Sequence, residues 1–544
     1  MAKVREVLFD LMRELGITKI FGNVGSTEEL MLKNFPPDFE YILSLQESVA
    51  VAMADAYSQD TGKPVHVNLH SAAGSGNGMG NFQTAWYNRT PMIITAGQQV
   101  RATLVNEPYL TSKNPYLQAL PWVKWSYQPT CAEDVPAAFF RAYATAIMAP
   151  AGPVYLSLPM DDMDRECPKF PLRRKIEPRL SAGKDVLQPV AEALAAAKRP
   201  LLVIGGALDQ TGGWYDGIAL AEKLNAAVMA PPYEGRPGFP ETHSLFQGGL
   251  LSGASSLCKQ LQGYDLVVVI GAPVFRYYPY APGAYLPEGT RLILLTDSTE
   301  EVARAVAGDG IVCDPARACA TLVELLPKAT RKAPEPRNPL PAPEVKDKIT
   351  ADYVYYTVAN LRPKNSVITQ ESASSAGQLL ERIPPSEPRS FFCSFSGVLG
   401  YGLPAACGVA LAERDLGTNR KVISLQGDGA TQYVVQAFWN AAQQKLPILF
   451  IIFRNHKYNI LKSFAEYLVA PNVPGFDLPG IDTVQLARGY GCDGNYVSKP
   501  GELEAAIKKG FAADGPYVVQ VEIDPATPAL LGKVGPKTQY SAIE

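Results

Sequence analysis

Short apolar runs alternate with amphipathic stretches over most of this chain. The runs at 19–21, 41–45, 200–206, 264–271, 290–295, 421–426 and 447–453 are rich in Val, Ile, Leu and Phe. Between them apolar residues recur at helical spacing, as at 2–15, at 47–57 and in the series Val434, Val435, Phe438, Trp439, Ala442. A short apolar run bounded by glycine or proline reads as a buried strand, and a three-to-four spacing as an amphipathic helix. Strand and helix in alternation predict parallel α/β sheets covered by helices.

Two breaks divide the pattern. Residues 163–184 are charged and carry Pro168, Pro171 and Pro178, and residues 327–343 are so proline-rich that neither a helix nor a central strand can form there. A chain of 544 residues is also too long for one core. The expected division is 1–180, 185–330 and 345–530, each an α/β unit on the scale of six strands, with a tail at 531–544. No short repeat relates the three. In the middle unit the runs 200–206 and 264–271 end in glycine, but no GxGxxG follows either. That unit reads as a nucleotide fold or as a structural spacer.

Composition narrows the class. Hydrophobic residues make up 47% and charged residues 19%, as in a soluble globular protein. Net charge is −3 with no basic stripe, which argues against nucleic acid, and no apolar run approaches membrane-spanning length. The first 15 residues carry charges throughout and read as an amphipathic helix, not a signal peptide. Eight cysteines are scattered without a CxxC pair, as expected in a reducing cytoplasm.

Candidate chemistry gathers at predicted strand ends, where open α/β sheets place their sites. The run 421–426 is followed by Gly427-Asp428-Gly429-Ala430, and Asn455 follows the next apolar run. An acid at such a turn repels a bare phosphate. It fits a divalent cation that bridges acid and phosphate, and Mg²⁺ takes one or two protein oxygens beside phosphate oxygens. In the first unit Glu47 opens a helix of small apolar residues that reads as buried, and a buried carboxylate needs a partner such as a protonated ring nitrogen. His70 stands among small uncharged residues after an apolar run, whereas His66 falls inside it. The glycine run 74–80 lacks the third glycine of a dinucleotide fingerprint and reads as a loop that needs close backbone packing.

The pair formed by Gly-Asp-Gly and Asn455 resembles the thiamin-diphosphate signature, with Arg454 in place of the first of two usual asparagines. Phe21-Gly-Asn-Val-Gly-Ser26, Leu45-Gln-Glu-Ser48, Asn68-Leu-His-Ser-Ala-Ala-Gly74, Gly152-Pro-Val-Tyr-Leu-Ser157 and Ile270-Gly-Ala-Pro-Val-Phe-Arg-Tyr277 extend the resemblance to the benzoylformate decarboxylase type of thiamin-diphosphate-dependent 2-oxo acid decarboxylases. It runs to about residue 525 and leaves the tail unmatched.

The resemblance implies three doubly wound parallel-sheet domains: pyrimidine-binding, middle and diphosphate-binding. Glu47 is implied to bond the cofactor's aminopyrimidine from the neighbouring subunit, so a homodimer is the minimum and a homotetramer is expected. The Gly397 carbonyl is implied to accept from the 4′-amino group, with Leu399 beneath the bend between the cofactor's rings. Asp428, Asn455 and the Lys457 carbonyl are implied to bind Mg²⁺, with Ser374, Gly427, Gly429 and Ala430 around the diphosphate and Tyr458 and Ile460 beside the cofactor. Ser26 is implied to bond the substrate carboxylate and His70 to move protons. Tyr109, Leu110, Phe392, Ile460, Leu461 and Phe464 are implied to line an apolar substrate pocket.

Tyr278 departs from the family, which has a second histidine there. A tyrosine is the poorer proton shuttle at neutral pH. The expected reaction is non-oxidative decarboxylation of an apolar 2-oxo acid, benzoylformate first, to an aldehyde and carbon dioxide. The alternatives are a carboligase or lyase on the same cofactor, which Tyr278 favours, and an inactive scaffold subunit, which the joint presence of Glu47, His70, Asp428 and Asn455 opposes.

Overall fold

The computed structural model describes residues 2–528 except 173. It contains three six-stranded sheets in which every strand pair is parallel, plus a small antiparallel pair, Ala2–Lys3 with Glu166–Cys167. The tail at 531–544 lies outside the described residues.

The first sheet runs in space Glu40–Leu43, Lys19–Gly22, Val65–Leu69, Met92–Gln98, Val154–Pro159, Ser126–Tyr127. The third runs Phe391–Cys393, Val367–Glu371, Val422–Gly427, Ile448–Arg454, Tyr517–Glu522, Asp493–Val497. Counted within each domain, both have the order 2-1-3-4-6-5, a likeness that no sequence repeat announces. The middle sheet runs 3-2-1-4-5-6, centred on Pro200–Ile204 and Leu266–Ile270. In each outer sheet the order reverses between the first and third strands, and ligands in such folds lie beyond the carboxyl ends at that point. Asn23–Ser26 and His70 follow those strands in the first domain, and Ser372–Ser374 and Asp428 do so in the third.

The outer domains are joined through one helix crossing. Helix Glu47–Thr61 and helix Gly402–Leu416 are buried on nearly every side. Their backbones touch: a Cβ on Gly408 would lie 2.1 Å from the Met53 carbonyl oxygen. The largest apolar cluster therefore runs from Phe21 and Val67 through both helices to Val422 and Ile448 without a break. Polar clamps add to it, with Tyr57 Oη donating to Asp415 (2.8 Å) and Arg420 bonding Asp60 and Glu413. Residues 328–346 form no helix or strand. Arg331 pins that stretch by donating to the carbonyls of Leu194, Ala197 and Leu224.

Two expectations change. The glycine run 74–80 is not a loop but lies inside helix Ser71–Tyr87. Its glycines give the close packing expected of the run: a Cβ at Gly74 would meet the Glu47 carboxylate at 3.2 Å, and one at Gly80 would meet Val398 at 3.3 Å. Packing has overridden helix propensity here. The helix expected after Asp428 is two pieces, Asp428–Gln432 and Ala437–Gln443, with the β-branched pair Val434–Val435 in the turn between them.

At the reversal point of the middle sheet, the Gly206 N–H that would face a phosphate donates instead to Glu234 Oε2 (2.7 Å). The remaining cavity is about 40 Å³. Glu234 Oε1 is buried without a hydrogen-bond partner, and burial pushes this carboxyl up to about 8. A carboxyl raised on folding stabilises most below its unfolded value near 4.5, and that contribution is lost as pH rises through 8. Thermal melts from pH 6 to pH 9 should therefore show Glu234→Gln losing less stability than the parent, by about 3 °C or more; parallel curves would contradict the assignment.

Candidate active site

In the third domain the candidate centre stands on two neighbouring strands. Asp428 follows Val422–Gly427 and Asn455 follows Ile448–Arg454, whose register pairs Gly427 with Phe453. Asp428 Oδ2 accepts from the N–H groups of Asn455 (3.1 Å) and His456 (2.8 Å), and Oδ1 accepts from Gly429 (2.9 Å). Burial raises this carboxyl, and the three N–H bonds oppose the rise. Asn455 Nδ2 donates to Ser374 Oγ (3.3 Å) and Asn455 Oδ1 accepts from Lys457 N (3.1 Å). Ala430 is buried, and the Tyr458 ring lies so close to Gly429 that a Cβ there would be 2.4 Å from it.

Among the described residues no three His, Cys, Asp or Glu side chains gather as a metal site. Asp428 and Asn455 offer one carboxylate and one amide, hard oxygens carrying a single negative charge. That set suits Mg²⁺ shared with a diphosphate rather than Zn²⁺.

The loop before helix Gly402–Leu416 bends through Gly397 (φ +76°) and Gly400 (φ +98°) and leaves Leu399 half-buried. Helix Ser71–Tyr87 holds its flank: Asn81 Nδ2 donates to the Gly400 carbonyl (3.0 Å), and Thr84 Oγ1 lies 2.9 Å from Ser396 Oγ. Arg276 donates to the Phe395 carbonyl (2.9 Å) and covers its ring.

In the first domain Glu47 is the buried first residue of its helix. Asn23 Nδ2 donates to Oε1 (3.3 Å) and Asn77 Nδ2 to Oε2 (3.0 Å). The partners are amides, not a charge. A carboxylate has about four acceptor sites, so capacity remains for a further donor.

His70 sits between strand Val65–Leu69 and helix Ser71–Tyr87. Its Nδ1 lies 2.9 Å from Glu28 Oε2 and 3.1 Å from Thr27 Oγ1. Glu28 is buried and also accepts from Gly25 N (3.0 Å), Gly97 N (2.8 Å) and Thr27 Oγ1 (2.6 Å). A carboxylate only accepts, so Nδ1 carries the hydrogen and Nε2 is left for chemistry. Sequence reasoning missed Glu28. Its one signal was a glutamate two residues beyond Ser26, in a segment already singled out. Ser26 itself is exposed at the rim.

The pocket residues are spread over three elements. Ile460, Leu461 and Phe464 lie on helix Asn459–Tyr467, and the Phe464 ring stands 5.1 Å from that of Tyr278, 57% exposed in the middle domain. Tyr467 Oη donates to the Tyr280 carbonyl (2.8 Å), which holds the two segments together. Tyr109 is 89% exposed on an outer loop beside Leu110 (φ +66°). Phe392 is a correction. It is fully buried on strand Phe391–Cys393 under the Arg236 guanidinium, packed as core rather than set to meet a substrate.

Gly25 makes a sharp test of the imidazole's place. A Cβ there would lie 2.2 Å from His70 Nδ1. Gly25→Ala should displace the ring and reduce turnover by about 100-fold with little change in melting temperature; full turnover would show that His70 is not held there for catalysis.

The chain was compared with known proteins. It matches the models "Thiamine pyrophosphate enzyme, N-terminal TPP binding domain" at residues 2–114, "central domain" at 187–325 and "C-terminal TPP binding domain" at 373–521. It is 39% identical to benzoylformate decarboxylase of Pseudomonas aeruginosa over 526 residues, covering 96% of this chain and 99% of that protein. The crystal structure of benzoylformate decarboxylase from Polynucleobacter necessarius is 44% identical, with a TM-score of 0.95 over 97% of this chain and 100% of the other. A thiamine diphosphate-dependent 4-hydroxybenzoylformate decarboxylase of Rhodococcus jostii RHA1 is 39% identical, with a TM-score of 0.93 over 96% and 100%. The acetolactate synthase large subunit of Haemophilus influenzae is more distant, at 25% identity over 95% of this chain and 94% of that protein. The chain belongs to the thiamin-diphosphate-dependent enzymes, within the 2-oxo acid decarboxylase family that includes benzoylformate decarboxylase.

Proposed function

We propose that this protein decarboxylates an apolar 2-oxo acid, with benzoylformate as the first candidate, to an aldehyde and carbon dioxide. The observation that carries the reading is Glu47: a buried carboxylate at a helix start, held by two amides and with acceptor capacity to spare.

Thiamin diphosphate, when bound, supplies a nucleophilic carbon and a sink for the electrons that carbon dioxide leaves behind. Asp428, Asn455 and the Lys457 carbonyl would hold Mg²⁺, with Ser374, Gly427, Gly429 and Ala430 around the diphosphate. Glu47 would hold a proton at the pyrimidine ring nitrogen. The Gly397 carbonyl would accept from the ring's amino group, and Leu399 would pack beneath it. Ser26 would bond the substrate carboxylate. His70, oriented by Glu28, would move a proton through Nε2. Tyr278 would donate a hydrogen bond. The tilted ring pair Tyr278–Phe464 and the apolar side chains of Ile460 and Leu461 favour an aromatic or branched substrate.

Among the described residues, Glu47 and His70 bond only to first-domain residues, and Asp428 and Asn455 only to third-domain ones. In the first domain Val24, next to Asn23, and Leu43 and Leu45, just before Glu47, are exposed, as are Val105, Tyr109 and Leu117. An apolar rim of this kind marks an interaction surface. A second copy would cover it, which makes a homodimer the least functional unit and fits a homotetramer. Eight unpaired thiols suit a reducing cytoplasm.

A carboligase is the second reading, favoured by Tyr278 in place of an imidazole. Purified protein with thiamin diphosphate, Mg²⁺ and a panel of 2-oxo acids separates the two. Benzaldehyde and carbon dioxide from benzoylformate are expected, with Glu47→Gln and Asp428→Asn each slower by at least about 100-fold. A hydroxy ketone with little free aldehyde would move the assignment to carboligation. No product from any acid, or a Glu47→Gln variant no different from the parent, would contradict both.

A further inference from the structure

Glu371 ends the first strand of the third sheet, in register with Gln426. Its carboxylate is buried, and it accepts three successive backbone N–H groups: Gly400 (2.9 Å) and Tyr401 (3.2 Å) on Oε1, and Gly402 (3.1 Å) on Oε2. Those amides open the 15-residue helix Gly402–Leu416. The first turn of a helix has unpaired N–H groups and favours a negative charge. Among the described residues no guanidinium or ammonium shares the carboxylate, and its hydrogen-bond donors are all backbone.

The neighbouring glycines are shaped to this contact. A Cβ on Gly402 would lie 2.7 Å from the Glu371 Cβ and 2.7 Å from Gln426 Nε2, and Gly400 takes φ +98°, where side chains are strained. One side chain thus fixes the exit of the loop that presents Gly397 and Leu399. Asn81 and Thr84 reach its other flank from the first domain.

We infer that Glu371 is a positioning residue for the reaction: by binding the 400–402 amides it holds the Gly397 carbonyl and Leu399 in one arrangement, without touching substrate. The inference rests on the reading of that loop given under the proposed function. A loosened loop misplaces those two groups and leaves the substrate pocket around Ile460 and Phe464 intact. The loss should therefore fall on kcat rather than KM, since a misplacement near 1 Å costs up to about 100-fold in rate.

The test compares Glu371→Gln, which keeps the length and loses the charge and one acceptor oxygen, with the parent. Amide hydrogen exchange in the cofactor-free protein reads the clamp directly. Exchange in the 400–402 peptide should quicken by about tenfold or more while the strand Val422–Gly427 is unchanged. In the loaded enzyme kcat should fall by about 30-fold, with KM within about threefold. Unchanged exchange would overturn the clamp. Faster exchange with undiminished kcat would overturn the role of the loop and leave the wider decarboxylase reading standing. Should the variant not fold, the parent decides: in the cofactor-free protein the 400–402 amides must be as protected as Val422–Gly427, and exchange within seconds would overturn the inference.

Discussion

The contact between the Gly408 backbone and the Met53 carbonyl is the constraint on which the rest of this molecule depends. A side chain at 408 would force apart the two helices that join the outer domains. Each helix begins at an element of the candidate site: one at Glu47, the other directly after the loop of Gly397 and Leu399. How closely the helices cross therefore sets where the carboxylate and the loop stand. The uninterrupted apolar cluster makes that placement rigid.

Within this frame, buried carboxylates do the positioning. Glu28 orients an imidazole, Glu47 is held by two amides, Glu371 binds three N–H groups, and Asp428 binds three more. Burial of an acid is costly unless its oxygens are satisfied. Here amides and backbone supply the donors, and Glu28 adds a hydroxyl and the imidazole of His70. At Glu371 and Asp428 the backbone donors oppose the rise that burial imposes on the carboxyl. The middle domain follows the same rule to another end. Its Glu234 takes the N–H a phosphate would need, and the domain brings Tyr278 and Arg276 against the third domain.

Much of this was legible in the chain. Within the runs 200–206 and 447–453, positions 200–204 and 448–453 are strand and buried throughout, and such runs look the same wherever they occur. Gly-Asp-Gly with Asn455 was readable as two strand ends, and the pairing of those strands brings the residues together. The shared strand order of the outer sheets was not readable, since topology leaves no periodic mark. The glycine run 74–80 misled because glycine signals a loop locally, while here it lets a helix press on Glu47 and Val398. Glu28 and Glu371 stayed hidden for a simpler reason. A lone glutamate is usually solvated, and only the fold shows which N–H groups converge on it. Phe392 was misplaced because an aromatic near a pocket segment and an aromatic in the core have the same spelling.

Under the proposed function, the Glu47 set of one copy and the Asp428 set of another would complete each catalytic centre. Subunit exchange between Glu47→Gln and Asp428→Asn proteins tests it, each expected to be slower alone by at least about 100-fold. A mixed dimer then holds one centre with both residues intact. Random mixing should restore about a quarter of parental benzoylformate turnover, since half of the dimers are mixed and each carries one good centre of two. Exchange that demonstrably occurs with no recovered activity would contradict the claim and place both sets within a single chain.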